Sequence, residues 1–255
     1  MSSIPIFIIS YNRGPMLLRV IESYRNLSTD IDIVVHDNGS DDPETIEILA
    51  KTTANGDRVY HRPKINSARE LNRVSRSVVD YFRETERQSD YVVTDCDIDL
   101  SATHTDALEV YIELLRLFPE ATCVGPMLRI RDIPVDYPLF NRVMNRHIDQ
   151  FWKHEPEWAE TSHGKVAYQT ARIDTTFALH RSGEAFRRLK SGLRVYEPFE
   201  ALHLDWYKVD QDTNYHKTSN NRVAHWDNAA EFERFRSADI GFSKFKYVDY
   251  VDGSL

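Results

Sequence analysis

The stretch Tyr91-Val92-Val93-Thr94-Asp95-Cys96-Asp97-Ile98-Asp99-Leu100 begins as an apolar strand and ends in three carboxylates. Successive residues of a strand point to opposite sides and rise about 3.3 Å each, so this spacing predicts Asp95, Asp97 and Asp99 on one face at roughly 7 Å intervals. Oxygen ligands with open coordination positions favour Mg²⁺ or Mn²⁺ bound together with a substrate phosphate. The alternative interpretation is a solvated acidic turn.

Strand and helix patterns alternate around this stretch. Residues 4–9 and 31–35 are apolar runs typical of buried strands, and a helical stripe follows the first run at Met16, Leu17, Val20, Ile21, Tyr24 and Leu27. A second helix is predicted to start at residues 41–44, and a third over residues 68–82 leads into the strand at Tyr91. Further on, residues 108–115 predict a helix and residues 121–125 a strand. This βαβα series predicts an α/β fold with a Rossmann-like, mostly parallel sheet and helices on both faces.

Regular patterns fade over residues 129–169, where Pro, Trp and mixed charges accumulate. We interpret this segment as a lid or an acceptor-side insertion. Strand character returns at residues 175–180, followed by the compact run His203-Leu204-Asp205-Trp206-Tyr207. No Gly/Ser-rich linker divides the chain, which predicts a single domain.

Composition excludes several classes of protein. The chain has 255 residues, 41% of them hydrophobic, and a formal net charge of -8, which argues against nucleic acid as a partner. Its two cysteines, Cys96 and Cys123, form neither a disulfide framework nor a zinc spacing, which favours a reducing compartment. The apolar run at residues 4–9 is too short for a signal sequence or a transmembrane segment. We therefore expect a cytoplasmic protein, in which residues 242–247 make a peripheral membrane or partner contact or form a packed tail.

Three polar clusters follow the predicted strands: Ser10-Tyr11-Asn12-Arg13, residues 36–42, and the acids at 95, 97 and 99. In an open parallel sheet, ligands bind beyond the carboxyl ends of the strands, so these clusters predict one site, although each alone is also typical of a turn. The chain has only 9 glycines and lacks the Gly-rich loops that cradle phosphates in dehydrogenases and P-loop enzymes. A nucleotide diphosphate here would therefore need a metal ion.

The N-terminal half resembles the GT-A nucleotide-sugar glycosyltransferases, particularly the inverting family 2 group. The resemblance covers roughly residues 4–130 and rests on four short motifs in order, which are Ile9-Ser10-Tyr11-Asn12-Arg13, Val34-Val35-His36-Asp37-Asn38-Gly39-Ser40-Asp41-Asp42, Asn66-Ser67-Ala68-Arg69-Glu70-Leu71-Asn72 and Thr94-Asp95-Cys96-Asp97. It implies a donor-binding half at residues 1–128 and an acceptor-binding half at residues 129–255 of one catalytic domain.

The resemblance also implies donor-side roles. Asp37 would contact the nucleotide base, and in the D-x-D element Asp95 would face the ribose or the metal's water shell while Asp97 binds Mn²⁺ or Mg²⁺. Asp99 lies outside the pattern, and we expect it to be the N-cap of a helix before residues 103–105 or, alternatively, a group behind the metal site. The remaining nucleotide-binding candidates are Ser10, Tyr11, Asn12, Arg13, Asn66 and Arg69. The family often carries Gly where Ser67 or Ala68 stands here, so this segment departs from the family pattern that brings the backbone close to the donor.

On the acceptor side, an inverting transfer needs a carboxylate that removes the proton of the acceptor hydroxyl. Asp205 is the candidate base, and Trp206 and Tyr207 offer flat surfaces for a sugar ring. A late histidine often completes the metal site of GT-A enzymes, for which His225 is the first candidate and His203 the alternative. Asp174 is a further acceptor-side candidate.

The predicted function is transfer of a sugar from a UDP, GDP or dTDP type of donor to a glycan or lipid-linked acceptor, as in polysaccharide biosynthesis. A sugar-phosphate nucleotidyltransferase is one alternative, although it would normally carry a Gly-rich loop with Arg and Lys after the first strand. A non-catalytic glycan-binding domain is the other, and the acids at 95, 97 and 205 argue against it.

Overall fold

The computed structural model describes residues 3–64, 68–137 and 139–207. Its strands are β1 (Ile4–Ser10), β2 (Ile31–Asp37), β3 (Arg58–His61), β4 (Tyr91–Asp95), β5 (Ile98–Asp99), β6 (Cys123–Pro126), β7 (Glu157–Thr161), β8 (Gly164–Ile173), β9 (Ala178–His180), β10 (Lys190–Val195) and β11 (Leu202–His203). Its α-helices are α1 (Gly14–Arg25), α2 (Pro43–Ala54), α3 (Val74–Thr85), α4 (Ala107–Leu117) and α5 (Phe140–His147). Shorter helical turns are the 3₁₀ segments Ala68–Arg73 and Leu204–Trp206 and the π-helical turn Ile148–Trp152.

Nine strands form one twisted sheet in the order β3-β2-β1-β4-β9-β6-β10-β8-β7. Strands β3, β2, β1 and β4 are parallel to one another. Strand β9 lies between β4 and β6 and is antiparallel to both. Strand β10 is parallel to β6, and the hairpin of β7 and β8 continues the sheet from it. Every strand of the sheet except β8 and β9 therefore runs in the same direction. The predicted α/β fold with a mostly parallel sheet is confirmed.

The sheet is covered on both faces because its central strands are apolar on both sides. In β1, Ile6 and Ile8 belong to the core that α1, α2 and α4 cover, whereas Phe7 and Ile9 belong to a separate core with α3. Alternate residues of a strand point to opposite faces, so one continuous apolar run feeds both layers. The helix predicted at residues 68–82 is α3 preceded by a 3₁₀ segment.

Residues 129–169 contain more regular structure than their sequence pattern indicated, and their interpretation as a lid or an acceptor-side insertion stays a prediction. The chain after residue 129 contains α5 and the β7–β8 hairpin, which is hydrogen-bonded into the main sheet through β10, with Leu193 opposite Thr170. The pattern was missed because β8 alternates between buried and exposed residues along part of its length. A strand with one solvated face carries polar residues that mask its apolar ones.

Within the described residues, no helix has both the length and the apolar character needed to cross a membrane. Cys96 and Cys123 are buried free thiols. Residues 242–247, for which a membrane or partner contact was considered, lie outside the described residues.

Candidate active site

The loops after β1 and β2 are joined by Asn12. Its side-chain Oδ1 accepts hydrogen bonds from the backbone N–H groups of Asp41, at 2.8 Å, and Asp42, at 3.1 Å. Its own backbone N–H donates to Ser40 Oγ at 2.9 Å. Asn12 has a φ of 49°, a left-handed conformation that Asn tolerates better than most residues. The first two polar clusters predicted from the sequence therefore form one surface at the carboxyl ends of their strands.

Asp37 faces its own loop. Its Oδ2 accepts from Ser40 N–H at 3.2 Å and lies 3.5 Å from His61 Nδ1. The residue is buried at 2% exposure, which makes it a fixed acceptor at the base of the loop. Its predicted contact with a nucleotide base remains a prediction.

Among the other nucleotide-binding candidates, Ser10 is buried and its backbone carbonyl accepts from Asn38 N–H at 2.8 Å. Lys64 Nζ lies over the ring of Tyr11, 4.7 Å from the ring centroid, in a cation–π contact. Asn66 lies outside the described residues, and Arg69 is described only as part of the 3₁₀ segment.

The three acids do not share one face, because the chain turns directly after Asp95. Asp95 ends β4 and its carboxylate accepts a hydrogen bond from the hydroxyl of Thr175. Asp97 lies in the turn and pairs with Arg13, whereas Asp99 lies in β5 and pairs with Arg19. Each carboxylate therefore has its own environment, and the expectation of a single acidic face is wrong.

Asp99 is not a helix N-cap. Its Oδ1 accepts from the backbone N–H of Ser101 at 2.6 Å, and its Oδ2 from Arg19 Nε at 2.8 Å. Turns follow it, and α4 begins only at Ala107, after Asp106. The expectation failed because an Asx-type turn and a helix N-cap use the same acceptor geometry.

Helix α1 holds the acidic turn against the sheet. The hydroxyl of Tyr24 donates to the carbonyl of Ile98 at 2.6 Å, and Ser23 Oγ accepts from Leu100 N–H at 3.2 Å. Both side chains are buried, so these bonds fix the backbone on which Asp97 and Asp99 stand.

A second sheet brings the segment at 203–205 to the acids. Strands β5 and β11 pair antiparallel, with Leu202 opposite Asp99 and His203 opposite Ile98. The backbone N–H of Leu204 donates to the carbonyl of Asp97 at 2.7 Å. Residues more than a hundred positions apart in the chain thus meet.

The result is a cluster of Asp97, His203 and Asp205. One ligand atom from each lies within 4.8 Å of the others. Within the described residues, Asp97 Oδ1 and His203 Nδ1 are buried and have no hydrogen-bond partner. Of the two histidines proposed for a metal, His203 occupies this position, whereas His225 lies outside the described residues. Asp95, proposed as a ligand, is not part of this cluster.

Arg13 is the positive charge of the cluster. Its Nη1 donates to Asp97 Oδ2 at 3.0 Å and to Asp205 Oδ2 at 3.3 Å, and its Nη2 donates to Asp205 Oδ1. The sequence grouped Arg13 with the nucleotide-binding candidates and gave no sign of these carboxylate partners. They follow from the turn after Asp95 and from the pairing of β5 with β11.

Burial dominates the electrostatics of the acidic residues. It raises the pKa of Asp97, and the nearby Asp205 carboxylate raises it further, while His203 and Arg13 act in the opposite direction. Burial also raises the pKa of Asp95 well above its usual range, and the Asp97 carboxylate adds to this effect. Crowded, desolvated carboxylates of this kind gain stability from a bound cation.

The aromatic residues near the cluster are packed differently from the expectation. Trp206 is 6% exposed, and its ring is stacked on His203 at a centroid distance of 4.7 Å, with His147 edge-on at 4.8 Å. The ring therefore presents no open face to a sugar in this structure. Tyr207 is half-buried, and its hydroxyl donates to Asp132 Oδ1 at 2.8 Å.

Asp174 is held by Arg188, whose Nε and Nη2 donate to Oδ1 at 2.6 Å and to Oδ2 at 2.5 Å. The backbone N–H of Arg188 donates to Asn72 Oδ1 at 3.0 Å, so this pair reaches the segment that follows β3. Sequence reasoning missed Arg188, because no periodic or motif signal connects it with Asp174.

A separate cavity of about 560 Å³ lies at the end of the sheet opposite to the Asp97 cluster. It is lined by residues at the amino ends of β6 and β10, among them Thr122, Glu184, Lys190 and Ser191. The cavity is therefore distinct from the cluster at the carboxyl ends of the strands.

The family model of glycosyl transferase family 2 matches residues 6–166. The chain belongs to this family. The resemblance to family 2 that the sequence predicted is thereby confirmed. A search of curated proteins finds no match to the sequence.

Solved structures similar to this family 2 chain include mannosyltransferase PcManGT from Pyrobaculum calidifontis in complex with GDP-Man and Mn²⁺. That match has 16% identity and a TM-score of 0.38, and covers 51% of this chain and 36% of the other. S. aureus TarS 1–349 in complex with UDP matches with 13% identity and a TM-score of 0.42, covering 71% of this chain and 47% of the other. The matched regions thus span between about a third and a half of these two chains.

The residues of the cluster fit a divalent cation. Two carboxylates and one imidazole supply hard oxygen ligands and one nitrogen, a set that Mn²⁺ accepts readily. Asp97 Oδ1 and His203 Nδ1, which have no hydrogen-bond partner in the part of the chain that the structure describes, are electron-pair donors that a cation would satisfy.

Proposed function

We propose that this glycosyltransferase moves a sugar from a nucleotide-sugar donor to a glycan or lipid-linked acceptor, with inversion at the anomeric carbon and with Mn²⁺ or Mg²⁺ as cofactor. The observation that carries the proposal is the cluster of Asp97, His203 and Asp205 at the carboxyl ends of β1 and β4 in a family 2 chain. This is the edge of an open parallel sheet at which ligands bind.

The donor is assigned to the loops after β1 and β2. Asp37 and the backbone at Tyr11 and Asn12 are proposed to bind the nucleoside, with Ser10 behind them. The hydrogen bonds of Asn12 support this role, because they hold both loops in one fixed arrangement. Asp95 is proposed to face the ribose, and Asn66 and Arg69 remain further candidates.

Asp97 and His203 would hold the cation, with Asp205 beside them. When bound, the cation would offset the negative charge that develops on the departing nucleoside diphosphate. The chain's own residues would supply the rest: the loops would orient the donor, and the burial of Asp97 and Asp205 would limit the access of bulk water to the reacting centre.

Asp205 is proposed as the general base. The acceptor oxygen forms a bond to the anomeric carbon, the bond from that carbon to the diphosphate breaks, and the hydroxyl proton passes to the carboxylate of Asp205. A second candidate role for Asp205 is that of third metal ligand. It is favoured because the ligand atom of Asp205 lies within 4.8 Å of the ligand atoms of Asp97 and His203. On the acceptor side, Tyr207 and Asp174 remain candidates for binding.

The Asp205→Asn variant separates these two roles. Loss of sugar transfer with unchanged Mn²⁺ and donor binding indicates a base, whereas a loss of Mn²⁺ affinity that matches Asp97→Asn indicates a ligand. Mn²⁺ binding is followed by the electron paramagnetic resonance signal of the free ion. Asp149→Asn, an exposed acid on the turn after α5, is the control for loss of one carboxylate.

Calorimetry with UDP, GDP and dTDP, each with and without Mn²⁺, tests the donor class. We expect one nucleotide to bind more tightly with Mn²⁺, and failure of all three to bind contradicts the proposal. Release of nucleoside diphosphate from a nucleotide sugar excludes the glycan-binding alternative. The anomeric configuration of the product, measured by NMR, tests inversion.

A further inference from the structure

The Arg13 guanidinium lies between the carboxylates of Asp97 and Asp205. It donates to Asp97 Oδ2 at 3.0 Å and to both oxygens of Asp205. Its side chain is 5% exposed, and those of Asp97 and Asp205 are 11% and 4% exposed. Such a two-pronged, charge-assisted contact is among the stronger hydrogen-bonding arrangements in proteins.

The two carboxylates are engaged to different degrees. Asp97 Oδ1 and His203 Nδ1 have no hydrogen-bond partner within the described part of the chain. Both oxygens of Asp205, in contrast, accept hydrogen bonds from Arg13. Among the residues that the structure describes, Asp97 and His203 thus each keep one buried atom without a hydrogen-bond partner, whereas Arg13 contacts both oxygens of Asp205.

A divalent cation and the guanidinium compete for the same charges. Two carboxylates and one arginine leave this site with one excess negative charge, and a second cation at the same oxygens would repel Arg13 at short range in a poorly solvated environment. Arg13 hydrogen-bonds to both oxygens of Asp205, so the guanidinium occupies the position in front of this carboxylate that a cation bound to both oxygens would take.

We propose that Arg13 is a displaceable counter-ion, which pairs with Asp97 and Asp205 when no divalent cation is bound and releases Asp205 when one binds. This inference rests on the metal site of the proposed function. In it, Arg13 is a positioning residue: it keeps two buried like charges together in the empty enzyme and lowers the affinity for a cation in the absence of substrate.

The test is titration of the full chain with Mn²⁺ alone, followed by electron paramagnetic resonance, in wild type, Arg13→Gln and Arg13→Lys. Removing the competing hydrogen bonds to a charged group is expected to raise the Mn²⁺ affinity of Arg13→Gln by about tenfold or more. Arg13→Lys, which keeps the charge but lacks the planar fork, is expected to lie between the two. Arg19→Gln removes the same charge from the neighbouring Asp99 pair and is the control for a general charge effect.

Thermal unfolding provides the second measurement. Arg13→Gln leaves two buried carboxylates without their cation, so its midpoint is expected to fall without Mn²⁺ and to recover more than that of wild type when Mn²⁺ is added. A merely structural role of Arg13 would lower the midpoint without raising Mn²⁺ affinity.

Equal or weaker Mn²⁺ binding by Arg13→Gln, or an equal gain in Arg19→Gln, overturns the inference. If wild type nevertheless releases nucleoside diphosphate only with Mn²⁺, the proposed function stands and the role of Arg13 alone is wrong. If neither metal binding nor metal-dependent turnover is found in any variant, the metal site itself is wrong.

Discussion

Asp97 and Asp99 are two residues apart and each pairs with an arginine from the α1 region, yet their surroundings differ. Asp99 is 0% exposed, and both of its oxygens accept hydrogen bonds, from Ser101 N–H and from Arg19. Asp97 has one oxygen on Arg13, the other unpartnered within the described residues, and Asp205 and His203 nearby. A carboxylate with all its bonds made holds a structure together, whereas one with an unused oxygen beside other ligand atoms is suited to chemistry.

The largest effect is expected from Asp97→Asn. If Asp97 holds the cation of the proposed function, the variant should lose metal-dependent transfer by at least about a hundredfold, because the charge of the departing diphosphate is no longer offset. The measurement is nucleoside diphosphate release over a range of Mn²⁺ concentrations. Its stability should fall little, since replacing a crowded buried carboxylate with a neutral amide relieves desolvation. Full activity of the variant at low Mn²⁺ contradicts the role given to Asp97.

The partner substitution, Asp99→Asn, is expected to act on stability instead. Loss of the charged acceptor for Arg19 and Ser101 should lower the free energy of unfolding by about 1–3 kcal/mol. Urea unfolding gives this value, and turnover per folded molecule should stay within a few-fold of wild type. If folded Asp99→Asn loses as much transfer activity as Asp97→Asn, the two acids act together. The distinction between a structural Asp99 and a chemical Asp97 is then wrong.

A pH titration extends the comparison to His36, another side chain with both of its polar atoms engaged. Burial, followed by the charge of Arg62, lowers the pKa of His36 from 6.5 to about 4, and its nitrogens bond to Ser77 and Asn38. The unfolded chain therefore binds a proton more readily than the folded one between these values. His36 contributes stability that is present above pH 6.5 and is lost as the pH falls towards 4, at a slope of up to about 1.4 kcal/mol per pH unit.

Urea unfolding of wild type and His36→Gln at several pH values measures this slope. The variant should show a weaker pH dependence in the same window, although His147 and His180, whose pKa values burial also lowers, retain part of it. An unchanged slope shows that His36 does not stay neutral in the folded protein.

The smallest effect is expected from Tyr24→Phe. The variant leaves the Ile98 carbonyl without the hydroxyl that donates to it at 2.6 Å, at a cost of about 1–2 kcal/mol in the free energy of unfolding. Because Tyr24 supports the turn that carries both Asp97 and Asp99, a modest loss of Mn²⁺ affinity should accompany it. Unfolding and Mn²⁺ titration are the two measurements, and a change in neither would show that this bond does not position the turn.

Much of the N-terminal half of the fold was readable from the sequence, because its signals are local. Apolar runs at residues 4–9 and 31–35 and the helical stripe from Met16 to Leu27 are set by periodicity, and the structure places β1, β2 and α1 there. The part of the chain after residue 129 was harder to read. Strand β8 belongs to the sheet only through its pairing with β10, a contact between distant residues that periodicity does not encode.

The same difference between local signals and long-range contacts applies to the site. The sequence predicted Asp97 and Asp205 as site residues and offered His203 as one of two candidate histidines, and the structure brings these three residues together. The sequence also predicted three acids on one face, an open ring at Trp206 and a helix N-cap at Asp99. Each of these predictions was wrong because the direction of the side chain depends on a turn or on a long-range contact.

The sequence by itself determined the α/β architecture and the presence of acids at the end of a strand, since these depend on the order of apolar and polar residues along a short stretch. Only the tertiary structure decided that Arg13, Asp97, His203 and Asp205 meet. They meet because the turn after Asp95 directs Asp97 to Arg13, and because β11 pairs with β5 across more than a hundred residues. Hydrogen bonds between distant backbone segments set that geometry, and no local pattern in the chain specifies them.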